Sequence, residues 1–187
     1  GDVFAAYQSM GIFLTDGAFN VQLLESVDPD ARVLFDNVRG TRPAPASGNL
    51  FNTFAIAFNT AYELDPQSSG FTVHTYDATW LTIYAHARAH LQELELGGRE
   101  LARGLRRMSE GNPVEIRQSG WEDVVDAFRA GETLDVAGGS GELDYDPNTE
   151  ETSAPVEIWG IEEVEAGEYE FTTLGTGMMY ACRISLS

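Results

Sequence analysis

Lysine is absent from these 187 residues: all eleven cations are arginine, against 30 acidic side chains, for a formal charge of −19. So large an acidic excess argues against nucleic acid and anionic membrane as partners, because both would be repelled. Cysteine is nearly absent as well. Cys182 stands alone, so no disulfide closes within the chain, and cysteine usage leaves the compartment open. No apolar run approaches the ~18 residues of a membrane span. Internal repeats and low-complexity tracts are missing too. What is there is a chain with 43% hydrophobic residues, enough for a packed core and too many for disorder.

The richest pattern lies between residues 51 and 88. Phe51, Phe54, Ala55, Phe58 and Tyr62 recur at three- and four-residue steps, as do Tyr76, Trp80, Ile83, Tyr84 and Ala87. That spacing predicts two amphipathic helices with buried aromatic faces, joined by the Pro/Ser/Gly loop 65–70. Upstream, residues 2–8 read as the end of a helix. Residues 11–14 read as a buried strand closed by the turn Thr15-Asp16-Gly17. Asn20 is placed to cap a short helix that stops at Asp28-Pro29, and 31–35 read as a second strand. Residues 36–48, rich in Gly, Pro and Arg and without a period, read as a crossing loop. Further helices are expected over 99–108, with basic residues at its C-terminal end, and over 122–130, with acids in its first turn and Gly131 as its stop. Residues 134–148 are turn-rich, while 156–161 and 169–171 alternate as strands. Strands and helices interleave, which predicts an α/β fold.

Candidate chemistry is sparse. Asp16 stands at the C-terminal end of the first expected strand, where open α/β sheets place ligand groups; an Asp-Gly pair by itself is an ordinary turn. Tyr76 and Asp77 open the second aromatic helix, where a core tyrosine and a dipole-favoured acid are the simpler account. His86 and His90 are four apart on one helix, yet no further ligand completes a metal set, and a solvated face explains them. Asp144, Asp146, Asn148 and Glu150 alternate like a calcium loop, but Thr149 and Pro155 stand where that loop needs Gly and Glu. Gly138-Gly139-Ser140-Gly141 lacks the strand-to-helix setting of a phosphate loop. No nucleophile elbow is present.

Four segments in order carry a resemblance: FLTDG at 13–17, TYDA at 75–78, GGSGELDYDPN at 138–148 and VEIW at 156–159. Together they resemble the C-terminal part of the type I periplasmic binding proteins, the leucine/isoleucine/valine-binding receptors of ABC transporters. The match covers roughly residues 10–165. It implies two α/β lobes, here with incomplete sheets flanked by helices, and a ligand held between them. Residues 1–37 would end the second lobe, 38–154 would supply the C-terminal part of the first, mainly helical, and 155–187 would return to the second.

The resemblance further implies non-catalytic binding of an amino acid or related solute outside the cytoplasm, in the periplasm or extracellularly. Delivery would be to a membrane permease, with a lipid anchor on the full-length protein. Asp16 would hold the ligand's ammonium, and Tyr76 and Asp77 would lie near the mouth of the cleft. No cofactor or metal is implied. The first half of such a receptor has no counterpart here, so surface meant for those segments is expected to be exposed and to favour self-association. The alternatives are a hydrolase that uses Asp16 with a second carboxylate, and a sensor or interaction protein that keeps the fold without the ligand.

Overall fold

The computed structural model describes residues 6–92, 94–146, 148, 152–180 and 183–184. The chain is mixed α/β, with two small sheets flanked by helices. It forms two units, one from Gly1–Pro45, Ser68–Gly70 and Ala154–Ser187, the other from Ala46–Gln67 and Phe71–Ser153.

In the first unit, two side-chain caps decide how the N-terminal segment folds. Asn20 accepts the Gln22 N–H and starts α1 (Val21–Ser26), as its position predicts. Asp28 accepts the Asp30 N–H, and with Pro29 at the first helical position it starts a 3-10 helix, Pro29–Asn37. That helix corrects the expected strand over 31–35. A short apolar run such as Val33-Leu34-Phe35 fits either structure, and the Asp-Pro start selects the helical one. The second strand lies in the expected loop instead, as β2 (Val38–Pro43). Gly40 and the two arginines hide its alternation. Gly40 is required there, because a Cβ would stand 2.1 Å from the Trp159 ring.

β1 (Ile12–Leu14) pairs parallel with β2. On the other side of β2 come β6 (Pro155–Glu165), β7 (Glu168–Tyr180) and β8 (Arg183–Ile184), all antiparallel, in the order β1-β2-β6-β7-β8. Phe35, Val38, Trp159 and Ile161 form the core, with Ile12, Leu14, Phe19 and Phe171 packed against it. The expectation of a buried first strand is also corrected. β1 is an edge strand, and Phe13 is 83% exposed between two inward neighbours. Across three adjacent strands runs a polar link: buried Glu157 accepts from Arg42 Nε and from Thr173 Oγ1. The Arg42 guanidinium also lies 3.5 Å above the Phe19 ring, so its charge meets both a carboxylate and a π-face.

The second unit contains the two aromatic helices, α2 (Asn49–Tyr62) and α3 (Thr72–Leu91). Their rings form one continuous series, Phe51, Phe54, Tyr76, Trp80, Tyr84 and Trp121, with centroids 4.8–6.4 Å apart. Phe58 and Trp80 are half-buried within this system. The buried face of α3 is the aromatic one, with Tyr84 fully buried and Tyr76, Trp80 and Ala87 packed against the core, and it departs from the expected pattern at one apolar and two charged positions. Ile83 is 40% exposed, whereas Asp77 and Arg88 are buried beside Val73, Tyr84, Ala85 and Ala89.

Next come α4 (Gly98–Leu105), which ends three residues short of its expected range, and α5 (Trp121–Arg129), which lies within one residue of its own. Two strands escape the sequence reading, β3 (Asn112–Glu115) and β4 (Leu134–Gly138). They pair in parallel around α5, and β5 (Gly141–Glu142) folds back antiparallel on β4. Phe128, Val124, Leu134, Val136, Met108 and Tyr84 form the core of this unit.

Candidate functional site

The parallel pair β3 and β4 ends in two short connections, 116–118 and 139–140, at the edge of the sheet where α/β folds gather ligand groups. A cavity of about 740 Å³ opens there, within the size range of small-molecule sites. One wall is apolar and aromatic, from α2 and α3: Phe54, Ala57, Phe58, Tyr62 and Tyr76. The facing wall is polar, made by Glu115, Arg117 and Gln118, with Gly139 at the end of β4. Glu115 and Arg117 pair at 3.1 Å with about half of each side chain exposed. Such a partly solvated pair is held weakly, so both groups are available to a ligand's charges.

Asp77 supports this cavity from behind and is not among its lining residues. The carboxylate is 1% exposed. It accepts the Gly139 N–H at 3.1 Å, the Ser140 N–H at 2.7 Å and the Ser140 hydroxyl at 2.5 Å. The expectation that Tyr76 and Asp77 begin their helix is corrected, since α3 starts at Thr72 and places both in its second turn. One step apart on a helix, the two side chains point in directions about 100° apart. Tyr76 therefore meets the cavity while Asp77 meets the hairpin that bounds it. Gly138 makes this approach possible, because a Cβ there would stand 2.4 Å from the Asp77 carboxylate.

Asp16 belongs to the first unit. It follows β1 by two residues and opens the 3-10 turn Asp16–Ala18, where its Oδ1 accepts the Gly17 N–H at 2.8 Å. The side chain is half-buried. That is the Asp-Gly turn geometry.

The remaining motifs take structural places. His86 and His90 are exposed, and His86 Nδ1 lies 2.8 Å from the Thr82 carbonyl, one turn back. Among the described residues no cluster of His, Cys, Asp or Glu is arranged to hold a metal. In the 144–150 segment, Asp146 accepts the Asn148 N–H at 2.7 Å in a local turn; Pro147, Thr149 and Glu150 lie outside the described residues, as does Cys182. The Gly138–Gly141 turn gives two of its amides to Asp77, which leaves them unable to cradle a phosphate.

Sequence reasoning missed Glu115, Arg117 and Gln118. The signal was the apolar-polar alternation of Val114 to Arg117, and it was hidden by the strand's shortness and its proline. No protein-family model matches the chain, and comparison with curated proteins and with solved structures finds no match.

Proposed function

We propose that this chain is the C-terminal part of a type I periplasmic-binding-protein fold that binds a small solute without transforming it. The solute is an amino acid or a close relative, delivered to an ABC-transporter permease from the periplasmic or extracellular side. The cavity in the second unit carries this reading. It lies beyond the carboxyl ends of two parallel strands, its aromatic wall suits an apolar ligand body, and Glu115, Arg117 and Gln118 offer charges and hydrogen bonds to a polar head. A further support is that the chain leaves the first unit after Pro45 and, apart from Ser68–Gly70, returns to it at Ala154, in keeping with the crossing between lobes in such receptors. The resemblance assigns the ligand's ammonium to Asp16, which belongs to the first unit and is not among the residues lining this cavity.

Thermal-shift screening against amino acids and small organic anions is the test. A ligand at a hundredfold excess over its Kd stabilises the native state by about 2.7 kcal/mol, which for a chain of this size raises Tm by about 5–10 °C. Tyr76→Ala should reduce the shift for the compound found. If none of these solutes shifts the transition, or if one is consumed with turnover, the binding-protein reading fails.

A further inference from the structure

Among the described residues that line the cavity of the second unit, Arg117 is the one cation and Glu115 the one acid. Arg117 Nη1 meets Glu115 Oε2 at 3.1 Å, and both side chains are about half exposed. An exposed pair of this kind contributes little. An incoming carboxylate can therefore take the guanidinium from Glu115 at small cost, and the planar fork offers it two parallel N–H donors.

The opposite wall decides what that carboxylate is attached to. Phe54, Phe58 and Tyr62 follow one another at four-residue steps along one face of α2. Their exposure rises in that order: Phe54 is 9% exposed, Phe58 is half-buried and Tyr62 is 64% exposed. The Phe54 and Phe58 centroids are 5.6 Å apart, those of Phe58 and Tyr62 4.8 Å, and Tyr76 stands 4.8 Å from Phe54. Packing among the rings covers the start of this series and leaves its far end open. An aromatic group laid there extends the series and gains more than its buried area alone would give. An aliphatic group of similar size gains only the area.

The geometry points to aromatic carboxylates, the aromatic amino acids among them, as the ligand class of this cavity. The ring lies on the α2 wall and the carboxylate on Arg117, with Glu115 as the group it displaces. This rests on the solute-binding reading and narrows it.

Calorimetric titration of the 187-residue chain with phenylalanine, leucine and phenylalaninamide is the test. Phenylalanine should bind about three- to tenfold more tightly than leucine, which lacks the ring. It should bind at least about tenfold more tightly than its amide, which lacks the carboxylate. Arg117→Gln and Tyr62→Leu change exposed side chains and leave the core alone. Arg117→Gln should lower phenylalanine to the affinity of the amide, and Tyr62→Leu should lower it towards that of leucine. Glu115→Gln removes the competitor and should tighten phenylalanine by up to about fivefold, the most an exposed pair is worth. Leucine or the amide binding as tightly as phenylalanine, or an Arg117→Gln chain that still separates acid from amide, overturns the ligand class and leaves the solute-binding reading standing. So does a chain that binds none of the three while another solute shifts its thermal transition. Weaker binding by Glu115→Gln overturns the displacement of Glu115. If no solute binds at all, the ligand class and the reading beneath it fall together.

Discussion

Asp77 gives the sharpest test of how the second unit is held together. Its buried carboxylate accepts three hydrogen bonds from Gly139 and Ser140, and among the described residues no cation is paired with it. Hydrogen bonds to a charged group contribute ~1.5–3 kcal/mol each, offset in part by the cost of keeping the charge out of water. Asp77→Ala removes the acceptor and leaves two amides and a hydroxyl unsatisfied, for an expected loss of about 3–5 kcal/mol. Asp77→Asn keeps the shape and one acceptor oxygen, so its loss should be about 1–2 kcal/mol. Ser140→Ala removes one bond of the three and should cost about 1 kcal/mol, with a coupling to Asp77→Asn of at least ~0.5 kcal/mol in a double-mutant cycle. Urea unfolding at constant m, followed by tryptophan fluorescence, measures the parent, the three single variants and the double variant. Stability of Asp77→Ala within ~1 kcal/mol of the parent would show that the carboxylate does not hold the hairpin. Loss of solute affinity at unchanged stability would instead make Asp77 a ligand contact.

Tyr84 is fully buried, its hydroxyl has no partner, and burial, with a smaller contribution from Tyr76, pushes its pKa up to about 12. Tyr84→Phe should therefore be neutral or stabilising by about 1 kcal/mol. Because the folded pKa lies above the unfolded value near 10, the stability linked to this proton is complete below about pH 10. It is lost as pH rises towards 12, and Tyr84→Phe should flatten that alkaline loss in a pH series of urea midpoints. Asp16→Asn should weaken amino-acid binding by roughly ten- to a hundredfold in calorimetric titration; unchanged affinity in a folded variant would leave Asp16 only its turn. Phe13, exposed on an edge strand, should promote concentration-dependent self-association in sedimentation, and Phe13→Asp should remove it. A parent chain that stays monomeric at micromolar concentration would refute this.

Local rules were sufficient where a side chain acts on its own neighbourhood. Asn20 caps α1 because its oxygen reaches the Gln22 N–H, and Gly131, with φ of 77°, ends α5 in a conformation that costs glycine little. The aromatic spacing over 51–88 likewise determined two helices and their ring series. Failures came where the deciding contact is distant in sequence. Whether Arg39, Gly40 and Thr41 form a strand at all depends on Gly160, Trp159 and Ile158, more than a hundred residues away.

On α3 the aromatic face was legible, but the burial of Asp77 on it was not, for a related reason. A hydrophobic pattern assumes that charges point to water, and Asp77 points inward because Gly139 and Ser140, sixty-two and sixty-three residues later, present donors to it. Composition and periodicity therefore settled that the chain is an α/β protein with an aromatic helical pair. The cavity and its polar wall exist only because β3 and β4, whose partners are 22 residues apart, pair in parallel and bring Glu115 and Gly139 to the same end of the sheet. Backbone hydrogen bonding between distant strands leaves little trace in the order of side chains, so tertiary structure alone decided the site.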